Sequence, residues 1–371
     1  MSTTHPLIGI VGSAGAYGRW LCTFFQARMG LEVMGHDPAD PASSSEVELV
    51  ERADVLVFAA PIRDTPTLID HYAALAAGRE ARQLWLDITS VKSGPVAAML
   101  RSRAEVAGLH PMTAPPKTPT LKGRVVIVCR VRVSRWAVWL DALLAALEGA
   151  TVAATPEHHD RVMALVQAMA HATHLAQAGV LREQSAKTGE PASLLPFRSA
   201  LFEMDMAIVA RILSLNPAIY EDIQFGNPHS KAVLHALVAQ LQRLAALVDE
   251  GTDAARAAFR REFLADNRVA LGEAPRAAAN YTFERVAYLL ADLNDAQTVS
   301  VHLPEDRPGS LRALLAVFER HGVNIASLHS SRTPGGQLHF RFGFDSGTPA
   351  ATLAAAAADI GASGIGRVIR Q

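Results

Sequence analysis

The sequence predicts an α/β domain, an all-helical domain and a small α+β domain in that order, and three observations carry this. Short β-type runs alternate with helical patterns from the start to about residue 150, as expected of a parallel sheet wrapped by helices. Strand-like runs then vanish, and apolar residues recur at helical spacing to about Leu293. From Thr298 the order becomes strand, helix, strand, strand, helix, strand, a ferredoxin-like arrangement. The expected boundaries are 1–153, 154–293 and 297–371, with "ADLNDAQ" at 291–297 as the hinge.

Each element has its own signal. In the first domain "LIGIVG", "LEVMGHD", "DVLVFAAP", "LWLDIT", "GRVVIVC" and "ATVAAT" read as strands, with "GLHPMT" a further candidate. Thr155, Pro156 and Glu157 supply a capping hydroxyl, a first-position proline and an early acid, a good helix start. Val162, Met163, Leu165, Val166 and Met169 follow at helical spacing. Ala, Leu and Val crowd more than one face of these helices, which predicts packing against a second copy of the chain as well as each other. In the third domain "TVSVHLPED", "SLRALLAVFERHG", "VNIASLHSSRT" and "LHFRFGFD" precede an Ala-rich helix near residue 350 and the short strand "IGRVIR".

Composition excludes several function classes. The 371 residues are 50% hydrophobic and 19% charged, enough for two to three domains with real cores. Lys plus Arg, 35, nearly cancels Asp plus Glu, 36, so no global field attracts nucleic acid or an anionic membrane. Cys22 and Cys129 sit in apolar runs and make neither a disulfide framework nor a metal knuckle. The N-terminal "MSTTHPLIGIVGSAGAYG" lacks the basic region of a secretion signal, and no stretch reads as long and apolar enough to span a bilayer. The expectation is a cytoplasmic protein whose partners are small molecules and its own copies.

The first chemical signal is "LIGIVGSAGAYGRW", where a β-run enters Gly12, Gly15 and Gly18 and leaves into an apolar helix. Such a turn lets backbone amides and a helix N-terminus, here Ala16 and Tyr17, approach a pyrophosphate. The G-x-x-G-x-x-G spacing is weak alone, since glycine turns between strands and helices are common. Asp37 strengthens it by closing the next β-run 19 residues past the last glycine, where an acid bonds ribose hydroxyls and repels a 2′-phosphate. The prediction is therefore a Rossmann-type domain that binds NAD rather than NADP.

In open α/β sheets ligands lie outside the carboxyl ends of strands. Three candidate strands end there in Ala60 and Pro61, in Thr89, Ser90 and Lys92, and in His110, so a proline corner, a hydroxyl with an ammonium, and an imidazole are expected on one rim. In the helical domain His171 and His174 lie three apart in apolar surroundings. No third ligand with metal spacing follows, so no metal is expected, and burial toward a cleft and plain core packing both remain open. Glu157 to Asp160 ("EHHD") reads as the exposed start of a helix. Arg211 closes an apolar helix before Asn216-Pro217; it suits either the helix dipole or a bidentate carboxylate clamp.

"ITSVKSGP", "GLHPM", "HHDRVMALVQAMAHATH" and "ARILSLNPAIYEDI" together resemble prephenate dehydrogenases over roughly residues 6 to 290, and "LPEDRPGSLRALLAVFERHGVNIASLHSSRT" resembles an ACT domain, an amino-acid-sensing module. The resemblance implies NAD-dependent oxidative decarboxylation of prephenate to 4-hydroxyphenylpyruvate by an obligate dimer built on the helical domain. It makes His110 the proton acceptor, Ser90 a partner of the reacting hydroxyl and of His110, Arg211 the holder of the ring carboxylate, and His171 a lining residue of the cleft. It also implies L-tyrosine as effector, at Asp306, Pro308, Gly309, Asn324 and Ile325. After the histidine, Ala114 replaces the family's usual glycine and Pro116 stands near the place of its usual acid, which leaves open the choice between prephenate and its amino counterpart arogenate. A dehydrogenase of the β-hydroxyacid type would need a catalytic lysine on a helix of the second domain, and neither Lys187 nor Lys231 is in such a setting.

Overall fold

The computed structural model describes residues 5–293, 297–303, 305, 307–332 and 337–369. Its packing divides into two compact units, Met1–Arg256 and Ala257–Gln371.

The first unit opens with β1 (Ile8–Val11), α1 (Ala16–Met29), β2 (Val33–His36), α2 (Glu46–Arg52), β3 (Val55–Phe58), α3 (Thr65–Ala76), β4 (Leu84–Asp87), α4 (Ser93–Leu100), β5 (Glu105–Pro111), β6 (Val125–Arg132), α5 (Ala137–Leu147) and β7 (Ala150–Ala153). The strands form one sheet in the order β2-β1-β3-β4-β5-β6-β7. Strands β1 to β5 are parallel to their neighbours, whereas β6 runs antiparallel to β5 and β7 parallel to β6. The expected parallel sheet is thus parallel from β1 to β5 and reverses direction only at β6. Between Pro111 and Val125 no helix crosses the sheet, so the chain can only return alongside β5, since parallel pairing needs a crossover connection.

Alternation along the strands builds a core on each face. Ile8, Ile10, Val55 and Val57 pack with Phe24 and Phe25 of α1 and Trp139 and Leu140 of α5. Leu56, Phe58 and Trp85 point the other way onto Leu49, Ile69, Tyr72 and Met99. Burial on both faces explains why these strands read as near-continuous apolar runs.

After β7 the first unit is helical. It comprises α6 (Pro156–Met163), a π-helical turn (Ala164–Met169), α7 (Ala170–Thr188), a 3-10 segment (Pro191–Phe197), α8 (Ala200–Leu213), α9 (Pro217–Gly226), α10 (Ser230–Glu250) and α11 (Asp253–Phe259), the last spanning the junction of the units. Thr155 caps α6 by accepting the His158 N–H at 3.2 Å. The sequence-based expectation that no stretch is long and apolar enough to cross a membrane fails for α10, whose best window has a mean hydropathy of 1.2 over a 21-residue helix. Only 6% of that window is buried. Val238, Leu241 and Val248 of α10, with Leu213 and Phe225, are exposed apolar side chains.

The second unit carries a π turn (Arg260–Ala265), α12 (Asp266–Leu271) and α13 (Glu273–Leu293), then β8 (Thr298–Leu303), α14 (Ser310–Arg320), β9 (Ser327–Arg332), β10 (Leu338–Gly343), α15 (Ala350–Ala362) and β11 (Arg367–Ile369). Its antiparallel sheet has the order β11-β8-β10-β9. Val299, Val301, Phe340 and Phe342 of the sheet pack with Val317 and Phe318 of α14 and Ala356 and Ile360 of α15. This is the ferredoxin-like arrangement that the sequence predicts.

Candidate active site

The glycine turn between β1 and α1 is built for close backbone approach. Gly12 has φ +87°, and a Cβ there would lie 2.8 Å from the Ala59 carbonyl oxygen; a Cβ on Gly18 would lie 2.0 Å from the Gly12 oxygen. Gly15 stands at the N-cap of α1, with Ala16 and Tyr17 opening the helix. Asp37, just past β2, accepts the Ala14 N–H at 3.0 Å, which sets a carboxylate beside the turn. Ala60 and Pro61 follow β3 and accept from the Thr65 hydroxyl. The cradle fits a dinucleotide, because glycine removes the atoms that would fill it. Tyr17 has a second engagement: its hydroxyl donates to the Thr113 carbonyl at 2.9 Å, and Trp20 donates to Thr118 at 3.0 Å. Helix α1 thus holds the segment that follows His110.

Strand β5 carries His110 into the protein with 3% exposure. Its Nδ1 lies 2.8 Å from Nε2 of His159, and Nδ1 of His159 lies 2.8 Å from Oδ1 of Asp160. Asp160 accepts the backbone N–H groups of Lys92 and Ser93, both at 2.8 Å, at the start of α4, and the Asn227 amide holds its carbonyl at 2.7 Å. Burial pushes the Asp160 carboxyl up, but hydrogen bonds from His159, Ser93 and Lys92 outweigh it and hold the group below its usual value.

An ionised carboxylate only accepts. His159 must therefore carry its proton on Nδ1 and present Nε2 as an acceptor, and His110 must in turn donate from Nδ1. That leaves Nε2 of His110 as the basic nitrogen, fixed by a carboxylate two rings away. Burial first, then the charge of Lys92, holds the His110 imidazole well below its ordinary value of 6.5, so the ring is neutral at physiological pH.

His159 and Asp160, expected at an exposed helix start, are 1% and 0% exposed. The signal was present in the spacing: once Thr155 and Pro156 fix the start of α6, Pro156, His159, Asp160 and Met163 share the inward stripe. Lys92 also departs from expectation. Its ammonium is buried and pairs with Asp87, while Nζ donates to the Leu109 carbonyl at 2.8 Å; it braces the strand under His110 instead of facing the rim. Ser90 lies half-buried past β4, and the His110 Nδ1 is engaged by His159.

In the helical part, His171 is half-buried, its ring 4.9 Å from that of Tyr220. Arg211 ends α8 on the exposed side, and its charge reaches Tyr220, whose phenol burial raises and Arg211 lowers. Helix α9 docks on the loop after β3 through Asp222, which accepts from the Arg63 guanidinium at 2.6 Å. His174 places its Nδ1 2.8 Å from the Ala170 carbonyl and its Nε2 3.5 Å from Asp205. Of the residues expected to bind an effector, Asp306 lies outside the described residues. Gly309 caps α14 at φ +93° beside Pro308, Asn324 is exposed, and Ile325 leans on the core of the second unit.

A glycine-turn dinucleotide-binding sheet followed by a helical domain is the plan of a nicotinamide-dependent dehydrogenase, and a buried imidazole stands at the end of one of its strands. Residues 155–262 match the prephenate dehydrogenase dimerization domain and residues 297–358 match the ACT domain. The chain is 32% identical over 281 residues to the 4-amino-4-deoxyprephenate dehydrogenase of Streptomyces pristinaespiralis, covering 71% of this chain and 90% of that protein. It is 28% identical to a probable arogenate/prephenate dehydrogenase of Methanocaldococcus jannaschii over 67% of this chain, and spans 58% of that protein's length. The fold matches prephenate dehydrogenase from Aquifex aeolicus, solved with hydroxyphenyl propionate and NAD+, at a TM-score of 0.56 and 18% identity, over 71% of this chain and 98% of that one. The chain belongs to the prephenate dehydrogenase family.

Proposed function

We propose that the chain catalyses NAD-dependent oxidative decarboxylation of a prephenate-type cyclohexadienol, prephenate or its amino counterpart arogenate, in L-tyrosine biosynthesis. The observation that carries this is the His110–His159–Asp160 chain, which presents one neutral, oriented base where the sheet's carboxyl ends and the helical part meet. The turn of Gly12, Gly15 and Gly18, with Asp37 beside it, would hold NAD, which would supply the acceptor for the hydride on the ring carbon that bears the hydroxyl.

His110 Nε2 takes the hydroxyl proton as that C–H bond breaks, and the positive charge that develops on the imidazole is met by Asp160 through His159. The ring carboxylate leaves as CO₂, its bonding pair enters the ring, and the new carbonyl oxygen becomes a phenol by taking a proton back from His110. Arg211 holds that carboxylate and Ser90 steadies the hydroxyl, as the family resemblance implies. The exposed apolar side chains of α8, α9 and α10 are the face a second copy covers, and the ACT domain is the receptor for L-tyrosine.

Initial rates with prephenate and arogenate, each with NAD and NADP and with or without tyrosine, test this reading; no oxidation of either ring substrate overturns it. Because burial and Lys92 hold the His110 pKa down, kcat/KM should stay flat as pH falls through 6.5 and decline only well below it; an acid limb centred at or above that value would contradict a buried base. Asp37→Ala should raise the NADP to NAD ratio of kcat/KM by about tenfold, through loss of the charge that repels a 2′-phosphate. An unchanged ratio would remove Asp37 from cofactor selection.

A further inference from the structure

The helical part of the first unit holds a second polar cluster that the proton chain does not use. Gln167 lies in the π turn, His171 follows at the start of α7, and Tyr220 and Gln224 sit one turn apart on α9. The two surfaces meet: the rings of His171 and Tyr220 are 4.9 Å apart, and the Gln224 amide nitrogen donates to the Ala168 carbonyl at 2.8 Å. Three atoms of this cluster, Gln167 Oε1, His171 Nδ1 and Gln224 Oε1, are buried without a hydrogen-bond partner among the described residues. Each such atom costs about 1–3 kcal/mol if left unpaired, so three of them on adjoining residues call for donors that the described residues do not supply.

Their chemistry is uniform. The bond from its nitrogen to Ala168 fixes the Gln224 amide, so the atom left over is the acceptor oxygen. The Gln167 orphan is likewise an oxygen. Burial, and then the charge of His174, lower the His171 pKa, so its ring is neutral and can offer a lone pair on Nδ1. Arg211, near Tyr220, supplies the cation for a carboxylate beside this trio.

We propose that Gln167 and Gln224 determine substrate specificity: with His171 they accept the three N–H bonds of an ammonium group, and the site favours the α-amino-acid form of the ring substrate over the α-keto form. This inference rests on the reaction assigned above. A keto group offers acceptors only and would leave all three protein acceptors unmet, the situation in which a polar site discriminates most strongly. On this reading arogenate is the preferred ring substrate and prephenate the poorer one.

The test is kcat/KM for arogenate and for prephenate, with the full-length chain and saturating NAD. Wild type should prefer arogenate by at least about tenfold. Gln167→Leu and Gln224→Leu should each lower the arogenate value by about tenfold or more while prephenate stays within about threefold; the prephenate rate reports whether the variant has kept its fold, and Gln167→Leu leaves the Gln224–Ala168 bond in place. A wild-type preference for prephenate, or variants that lower both substrates alike or leave the ratio unmoved, overturns the proposal. Failure of wild type to oxidise either substrate overturns the reaction itself instead.

Discussion

His110→Asn should lower kcat by about two to four decades while KM for the ring substrate changes little. Asparagine fills a similar space and can still donate to His159, so the strand and its partner stay in place, but it offers no basic nitrogen to the hydroxyl. The loss should therefore fall on the step in which the O–H and C–H bonds break. Turnover at the wild-type rate would exclude His110 as the base. The same variant has a thermodynamic signature. The folded pKa of His110 lies below the unfolded value of about 6.5, so the unfolded chain binds more protons as pH falls through that value. Stability from this group is present above it and lost below it. Melting temperatures measured from pH 7 downward should fall less in His110→Asn than in wild type.

Lys92→Met should destabilise the first unit by about 3–5 kcal/mol, the usual cost of leaving one member of a buried ion pair behind. Lys92 and Asp87 are both 0% exposed, Asp87 Oδ1 also accepts the Thr89 hydroxyl at 2.7 Å, and Asp87 Oδ2 is buried with no partner among the described residues. Methionine matches the aliphatic stem and removes the charge, so the stranded carboxylate bears the penalty. Urea unfolding measures it, and adding Asp87→Leu in the same chain should recover most of the loss. Loss in the double variant equal to that in the single one would show that lysine packing, not charge, is what matters. In whatever folded protein remains, the kcat/KM acid limb should move toward higher pH, because a cation that held the His110 pKa down is gone.

Much of the fold was legible because its signals are local. The β1 run, the glycines and Asp37 lie within one supersecondary unit, and their spacing alone states what the backbone must do there. The change to helix at Thr155 is written in a cap, a proline and an acid. What stayed hidden is long-range. The reversal of β6 depends on the absence of a helix between Pro111 and Val125, and a run such as "GRVVIVC" looks the same in either direction. The partnership of His110 with His159 spans two elements that no periodicity connects, and charged letters at a helix start ordinarily face water. Lys92 misled for the same reason: a lysine after a strand is usually solvated, and only the acid at Asp87 on the same strand end hints that it turns inward.

The irregular turn at Ala164–Met169 has a consequence for the alignment of the two polar clusters. A π turn takes in one residue more than an α turn, which rotates everything beyond it by about 100° about the helix axis. His159 precedes the turn and His171 follows it, so this single extra position sets the azimuth of one imidazole against the other. A chain lacking one residue there would keep both His159 and His171 and still present His171 to a different neighbour.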